Sequence, residues 1–247
     1  MNTYIIDWHK EPINDLIRRN VPVRWHNVFE NAFPLDLEIG IGNGSFIVPF
    51  SKDHPERNII GIEIEGVYLK KANKKLLKQD ISNARLLIGD AKFLAWKLFD
   101  DESIEDVYIN YPDPWFKKRH KKRRLINVYS LRMLALKMRS VLTIATDNEE
   151  YRDWVIQSVQ ETKCFDAVFS TVYVNEMENY YATKYEKKWK EQGKPVFYMK
   201  FKKKKSPEMN WDEYIKTQNL QFTLNKAMGH RHKMKSAKSK FEEETGQ

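Results

Sequence analysis

The chain has a single cysteine, Cys164, among 247 residues. That excludes internal disulfides and any zinc site built from cysteine. No apolar run approaches the roughly 18 residues needed to span a membrane. The first residues, MNTYIIDWHKEP, lack the charged, apolar and small-residue zones of a secretory signal. A reducing, cytoplasmic setting is therefore expected. Glycine is sparse, with nine residues, and three of them stand at 40, 42 and 44. Acids are in the minority, 34 against 43 Lys and Arg, which leaves a formal charge of +9. The excess is local. Residues 117–124 are seven Lys or Arg together with His120, and residues 202–247 carry eleven cations against six acids. The remainder is slightly acidic. Basic patches on such a body point to a polyanionic partner.

Hydrophobic residues make up 41% of the chain, enough for a sizeable core. Apolar periodicity resolves alternating strands and helices from residue 35 onward. Strands are predicted at 35–39, 58–63, 84–88, 104–109, 141–145, 165–174 and 195–201. Helices are predicted at 45–53, 66–79, 91–99, 125–139 and 149–162, with a helix or turn at 182–191. Residues 7–19 are compatible with a short helix. Such alternation implies an α/β fold with a mostly parallel sheet covered on both faces. Residues 1–34 form an N-terminal arm, 35–202 the main domain, and 203–247 a basic, helical C-terminal extension. Ligands of open α/β sheets bind at the carboxyl ends of the strands. Those ends here carry residues 40–44, Glu63, Asp90, 110–113 and Asp147.

Residues 38–44, EIGIGNG, follow a strand and open a helix. A dinucleotide fingerprint would place its third glycine on Ser45 or on Ile47, so neither register fits. No Gly-Lys-Ser/Thr follows, which excludes a P-loop. Glu38, two residues before Gly40, would repel a pyrophosphate. It would favour S-adenosylmethionine, which bears an ammonium and a sulfonium. Glu63 ends the next strand, where an acid accepts from both ribose hydroxyls. Asp90 ends the third, placed to accept from the adenine amino group. Gly40, Gly42, Gly44, Glu38, Glu63 and Asp90 are thus the candidate cofactor ligands.

The fourth strand runs into NYPDPWFKKRHKKRRL at 110–125. The prolines stiffen the loop. Trp115 offers a face for a base or a wall for the core, and Asp113 an acceptor for base N–H groups.

Together LEIGIGNGSF, NIIGIEIE, GDA, NYPDPWFKKRHKKRRL, ATDNEEY and ATKYE, in that order, resemble the tRNA (guanine-N7)-methyltransferases of the TrmB type. The resemblance runs from about residue 35 to 201, and the basic tail lies outside it. It implies a class I S-adenosylmethionine-dependent methyltransferase fold, Rossmann-like, with a seven-stranded mostly parallel sheet. The implied activity is methyl transfer to N7 of a variable-loop guanine in tRNA. Matched residue by residue, it implies cofactor contacts at Glu38, Glu63, Asp90 and Asp113, with Asp113 at the position assigned as catalytic. It implies substrate contacts at Lys117, Asp147, Thr183, Lys184, Tyr185 and Glu186. Arg119, Lys121, Lys122, Arg123 and Arg124 are expected to meet the RNA backbone. The expected partner is tRNA, without membrane association, and the chain is expected to be a monomer or homodimer. The competing readings are another class I methyltransferase, a nucleotide-linked dehydrogenase and a non-catalytic RNA-binding protein.

Overall fold

A computed structural model describes residues 3–10, 12–178, 180–221 and 223. The strands are β1 Ile5–Ile6, β2 Leu35–Ile39, β3 Asn58–Glu63, β4 Ala84–Ile88, β5 Val107–Asn110, β6 Val141–Thr146, β7 Phe165–Ala167, β8 Tyr173–Val174 and β9 Phe197–Lys203. The helices are α1 Ile13–Arg19, α2 Trp25–Phe29, α3 Ile47–Asp53, α4 Gly66–Lys78, α5 Ala91–Leu98, α6 Val128–Lys137, α7 Glu149–Thr162, α8 Lys184–Glu191 and α9 Trp211–Thr217. Among the described residues, no helix is long and apolar enough to cross a membrane.

One sheet holds the molecule together, in the order β1-β4-β3-β2-β5-β6-β9-β7, with β8 also on β9. The pairings from β1 to β6 are parallel, and β9 runs antiparallel to β6, β7 and β8. The central strands are apolar on both faces because helices cover both. Phe46, Leu69 and Leu76 pack with Ile59 and Leu86 on one face. Phe93, Leu94, Leu131, Val155 and Tyr214 pack with Leu37, Ile60 and Ile144 on the other.

Local chemistry sets the helix ends. Asp90 accepts from Lys92 N–H and starts α5. Asn127 and Ser130 form a reciprocal capping box, so α6 starts at Val128 and not at residue 125 as periodicity suggested. Ile126 instead enters the core in the preceding loop, at 1% exposure.

Two further expectations need correction. Residues 165–174 are not one strand. Between the Ala167↔Phe201 and Tyr173↔Met199 pairs the chain advances six residues against two on β9. The surplus bulges out through a turn closed by Val172 N–H to Phe169 O, with Val172 at φ 68°. Residues 5 and 6 are not merely an arm, since they extend the sheet beyond β4, and Trp8 Nε1 donates to Ile88 O at 2.6 Å. Within the expected helical C-terminal extension, the described residues form α9. It packs tightly: Tyr214 is fully buried and donates to Lys92 O at 2.9 Å, and Trp211 stacks on Trp96 at 5.4 Å. Residues 224–247 lie outside the described residues.

Candidate active site

The two ends of the central strands treat their acids differently. At the amino end, Arg57 donates to both oxygens of the fully buried Asp36 (2.7 and 2.5 Å) and to Asp106 at 3.0 Å. Those carboxylates are consumed by the fold. At the carboxyl end Glu38 and Glu63 flank the glycine loop, and Asp90, Asp113 and Asp147 follow the ends of β4, β5 and β6.

Gly40, Gly42 and Gly44 all have positive φ, at 78°, 52° and 78°. Only glycine adopts this at low cost. Their surroundings differ. A Cβ on Gly44 would meet Ala72 Cβ of α4 at 2.9 Å, so this glycine lets a helix approach the loop. A Cβ on Gly40 or Gly42 would meet nothing within 4 Å, so those two face open space. The loop is pinned from behind. Gly40 N–H donates to Ile62 O at 2.8 Å, and Lys75 Nζ to Asn43 O at 2.6 Å.

Glu63, at the end of β3, accepts from Gly42 N–H (2.8 Å) through Oε2 and from Glu65 N–H (2.9 Å) through Oε1. It ties the glycine loop to the start of α4, and each oxygen retains a second lone pair. Glu38 sits in mid-sheet at 1% exposure. Its Oε1 accepts from Asn110 Nδ2 at 3.2 Å, and its buried Oε2 has no hydrogen-bond partner. Burial pushes its pKa up to about 8. The Asn110 amide and the Ile47 N–H oppose that shift, and repulsion from Glu63 adds to it. Asp90 is half-buried at the α5 cap.

The loop after β5 turns sharply, with Tyr111 at φ 51° and Trp115 at φ 44°. Asp113 is exposed between them. Residues expected to form a plain loop wind into a 3-10 turn, Lys118–Arg123. Trp115 is half-buried against this turn: His120 meets its ring edge at 5.6 Å, and the Arg123 guanidinium lies 5.1 Å from its centroid. It packs on the basic turn and stays out of the core.

The basic residues divide. Lys117, Arg119, Lys122 and Arg123 are exposed. Lys121 pairs with Glu150 at 3.1 Å. Arg124 departs from the expectation of a phosphate contact. It is 1% exposed, donates to Pro114 O (2.7 Å) and Glu150 (3.1 Å), and lies over Tyr151 and Trp154. Its charge holds the Pro112–Trp115 bend against α7.

Asp147 follows β6 and is half-buried. Thr183 caps α8 by accepting from Glu186 N–H at 3.0 Å. Glu186 is 1% exposed, accepts from the Tyr198 hydroxyl and pairs with Lys190 at 3.1 Å. The side chains of Lys184 and Tyr185 lie outside what is described. Two further residues take part beyond the candidate ligands. Asn110 gave a signal, a polar residue closing an apolar strand. Tyr180 gave none, because its hydroxyl reaches Asn110 across 70 residues of chain.

The strand order and the glycine loop define a Rossmann-like methyltransferase domain. A family model described as "Putative methyltransferase" matches residues 32–199. A tRNA (guanine-N(7)-)-methyltransferase of Aquifex aeolicus is 39% identical, over 70% of this chain and 58% of that protein. The Thermotoga maritima protein of the same name is 37% identical, over 75% and 59%. That of Limosilactobacillus reuteri is 35% identical, over 70% and 83%. The chain therefore spans under two thirds of the length of the first two relatives. The crystal structure of the 16S rRNA methyltransferase KamB superposes with a TM-score of 0.56 at 12% identity, over 74% of this chain and 93% of that one, which shows a shared fold. The chain belongs to the tRNA (guanine-N(7)-)-methyltransferase family.

Proposed function

We propose that the chain transfers a methyl group from S-adenosylmethionine to N7 of a variable-loop guanine in tRNA. One observation carries the reading: acids stand at successive strand ends on the rim that holds an open glycine cradle, and a cationic turn follows directly from the same rim. The donor set fits the cofactor. Gly40 and Gly42 leave room for a ligand against backbone. The unpartnered Glu38 Oε2 suits an ammonium. Glu63 has lone pairs for ribose hydroxyls, and Asp90 stands at the adenine end.

When bound, the cofactor supplies an electrophilic methyl on a sulfonium. Guanine N7 carries a free lone pair at neutral pH, so the protein needs no general base. Its task is to hold N7 in line and to match the cationic product with carboxylates. Asp113 and Asp147 are the acceptors for guanine N1–H and its exocyclic amine, a donor pair that adenine lacks. Lys117, Arg119, Lys122 and Arg123 supply exposed cations for phosphates. Thr183 and Glu186 serve this site by shaping α8, which carries Lys184 and Tyr185. The chain would act in the cytoplasm, as a monomer or homodimer.

Tritium transfer from labelled S-adenosylmethionine to an unmodified tRNA transcript tests the reading. Transfer to wild-type transcript, abolished when the variable-loop guanine becomes adenine, is expected. Equal labelling of both transcripts would refute the assigned target. Asp113→Asn is expected to lower turnover and weaken the preference for guanine.

A further inference from the structure

Tyr180 donates its hydroxyl hydrogen to Asn110 Oδ1. With that oxygen committed, the amide nitrogen of Asn110 points to Glu38 Oε1. The reversed amide would set an oxygen against the ionised carboxylate, so in that charge state both neighbours select one orientation. The Tyr180 ring is held independently, against Phe46 at 5.3 Å and Tyr198 at 5.5 Å. Its neighbour Tyr181 lies edge-on to the same Phe46 and to Phe50 and His54, and its hydroxyl bonds Asp53 and not Asn110. We infer that Tyr180 is a positioning residue for the methyl donor: through Asn110 it sets the Glu38 carboxylate that receives the donor's ammonium. The inference rests on the function proposed above for Glu38.

Two consequences follow. Tyr180 lies three residues before Thr183, on the segment that leads into α8. A substrate engaging that segment therefore bears on the donor site, and the coupling is reciprocal. The charge state of Glu38 also matters. The groups facing it are Glu63 from β3, Tyr180 from the covering segment, the Asn110 amide from β5 and the Ile47 N–H from α3. No cation is among them. Binding an ammonium favours the charged carboxylate, so donor affinity should rise with pH as Glu38 ionises and fall again as the donor's own α-amino group, which titrates at about 8, loses its proton.

The test is calorimetric binding of S-adenosylmethionine alone, without RNA, to the parent, Tyr180→Phe and Tyr181→Phe, at pH values below and above the Glu38 midpoint. Tyr180→Phe keeps the ring and removes one hydrogen bond, and about 3- to 10-fold weaker binding is expected near neutrality. The rise of affinity with pH should move to higher pH, because a loosened Asn110 stabilises the charged Glu38 less. The melting temperature should fall by no more than a few degrees, and in turnover the donor KM should rise while kcat is kept. Parent-like affinity and pH profile in Tyr180→Phe would overturn the inference. So would an equal loss in Tyr181→Phe, which would mean general loosening of the segment. A parent that binds no S-adenosylmethionine overturns this inference and the proposed function together. A parent that binds it but does not methylate tRNA overturns the function alone.

Discussion

Gly42 and Gly44 share a left-handed backbone and differ in what stands beside them, so the same substitution should have two different outcomes. At φ +78°, a Cβ on residue 44 costs about 1–2 kcal/mol in backbone strain. It would also sit 2.9 Å from Ala72 Cβ and 3.2 Å from Ala72 Cα. Neither atom is the end of a flexible side chain, so α4 must move, at about 1–3 kcal/mol more. Gly44→Ala should therefore lose about 2–5 kcal/mol of stability. Gly42→Ala keeps the N–H bond to Glu63 and meets no atom, so only the strain of about 1–2 kcal/mol applies. Its methyl, however, projects into the cradle assigned to the cofactor, and S-adenosylmethionine should bind at least about tenfold more weakly, roughly 1.4 kcal/mol. Urea unfolding gives the first quantity and calorimetry the second. Parent-like cofactor affinity in Gly42→Ala would refute the placement of the cofactor. Parent-like stability in Gly44→Ala would refute the close approach of loop and helix.

Three other outcomes are expected. Arg124→Ala removes two hydrogen bonds and a guanidinium packed on Tyr151 and Trp154. It should cost about 2–4 kcal/mol in urea unfolding while leaving the salt slope of tRNA binding intact. Arg119→Ala with Lys122→Ala should do the reverse, with parent-like stability and a log-affinity against log-salt slope flatter by about 1.5. Tyr214→Ala should destabilise the whole domain by about 3–5 kcal/mol in a single cooperative transition, because its ring is fully buried against the main core.

Much of the architecture was written in local pattern. β2, β3 and β4 begin and end where the apolar runs do, and α7 matches its periodicity, because both signals are local and the core rewards them. The placement of acids at strand ends was equally legible, since a parallel sheet puts every carboxyl end on one rim. Other features depended on distant partners. The two residues of β1 gain meaning only beside Leu86 and Leu87. The bulge between β7 and β8 is a register difference with β9, which no single segment records. Arg124 reads as one more cation in a basic run, and its burial is decided by Glu150, Tyr151 and Trp154, about 30 residues away. The burial of Glu186 with Tyr198 and Lys190 likewise has no signal in its own segment.

The central claim is N7 methylation of a guanine in tRNA. N7-methylation weakens the glycosidic bond, so reduction followed by aniline cuts the RNA chain at the modified nucleotide. Unmodified tRNA incubated with the protein and S-adenosylmethionine should be cut at one variable-loop guanine, and its digest should contain N7-methylguanosine. An intact chain, or a methyl group on any other atom, would contradict the account.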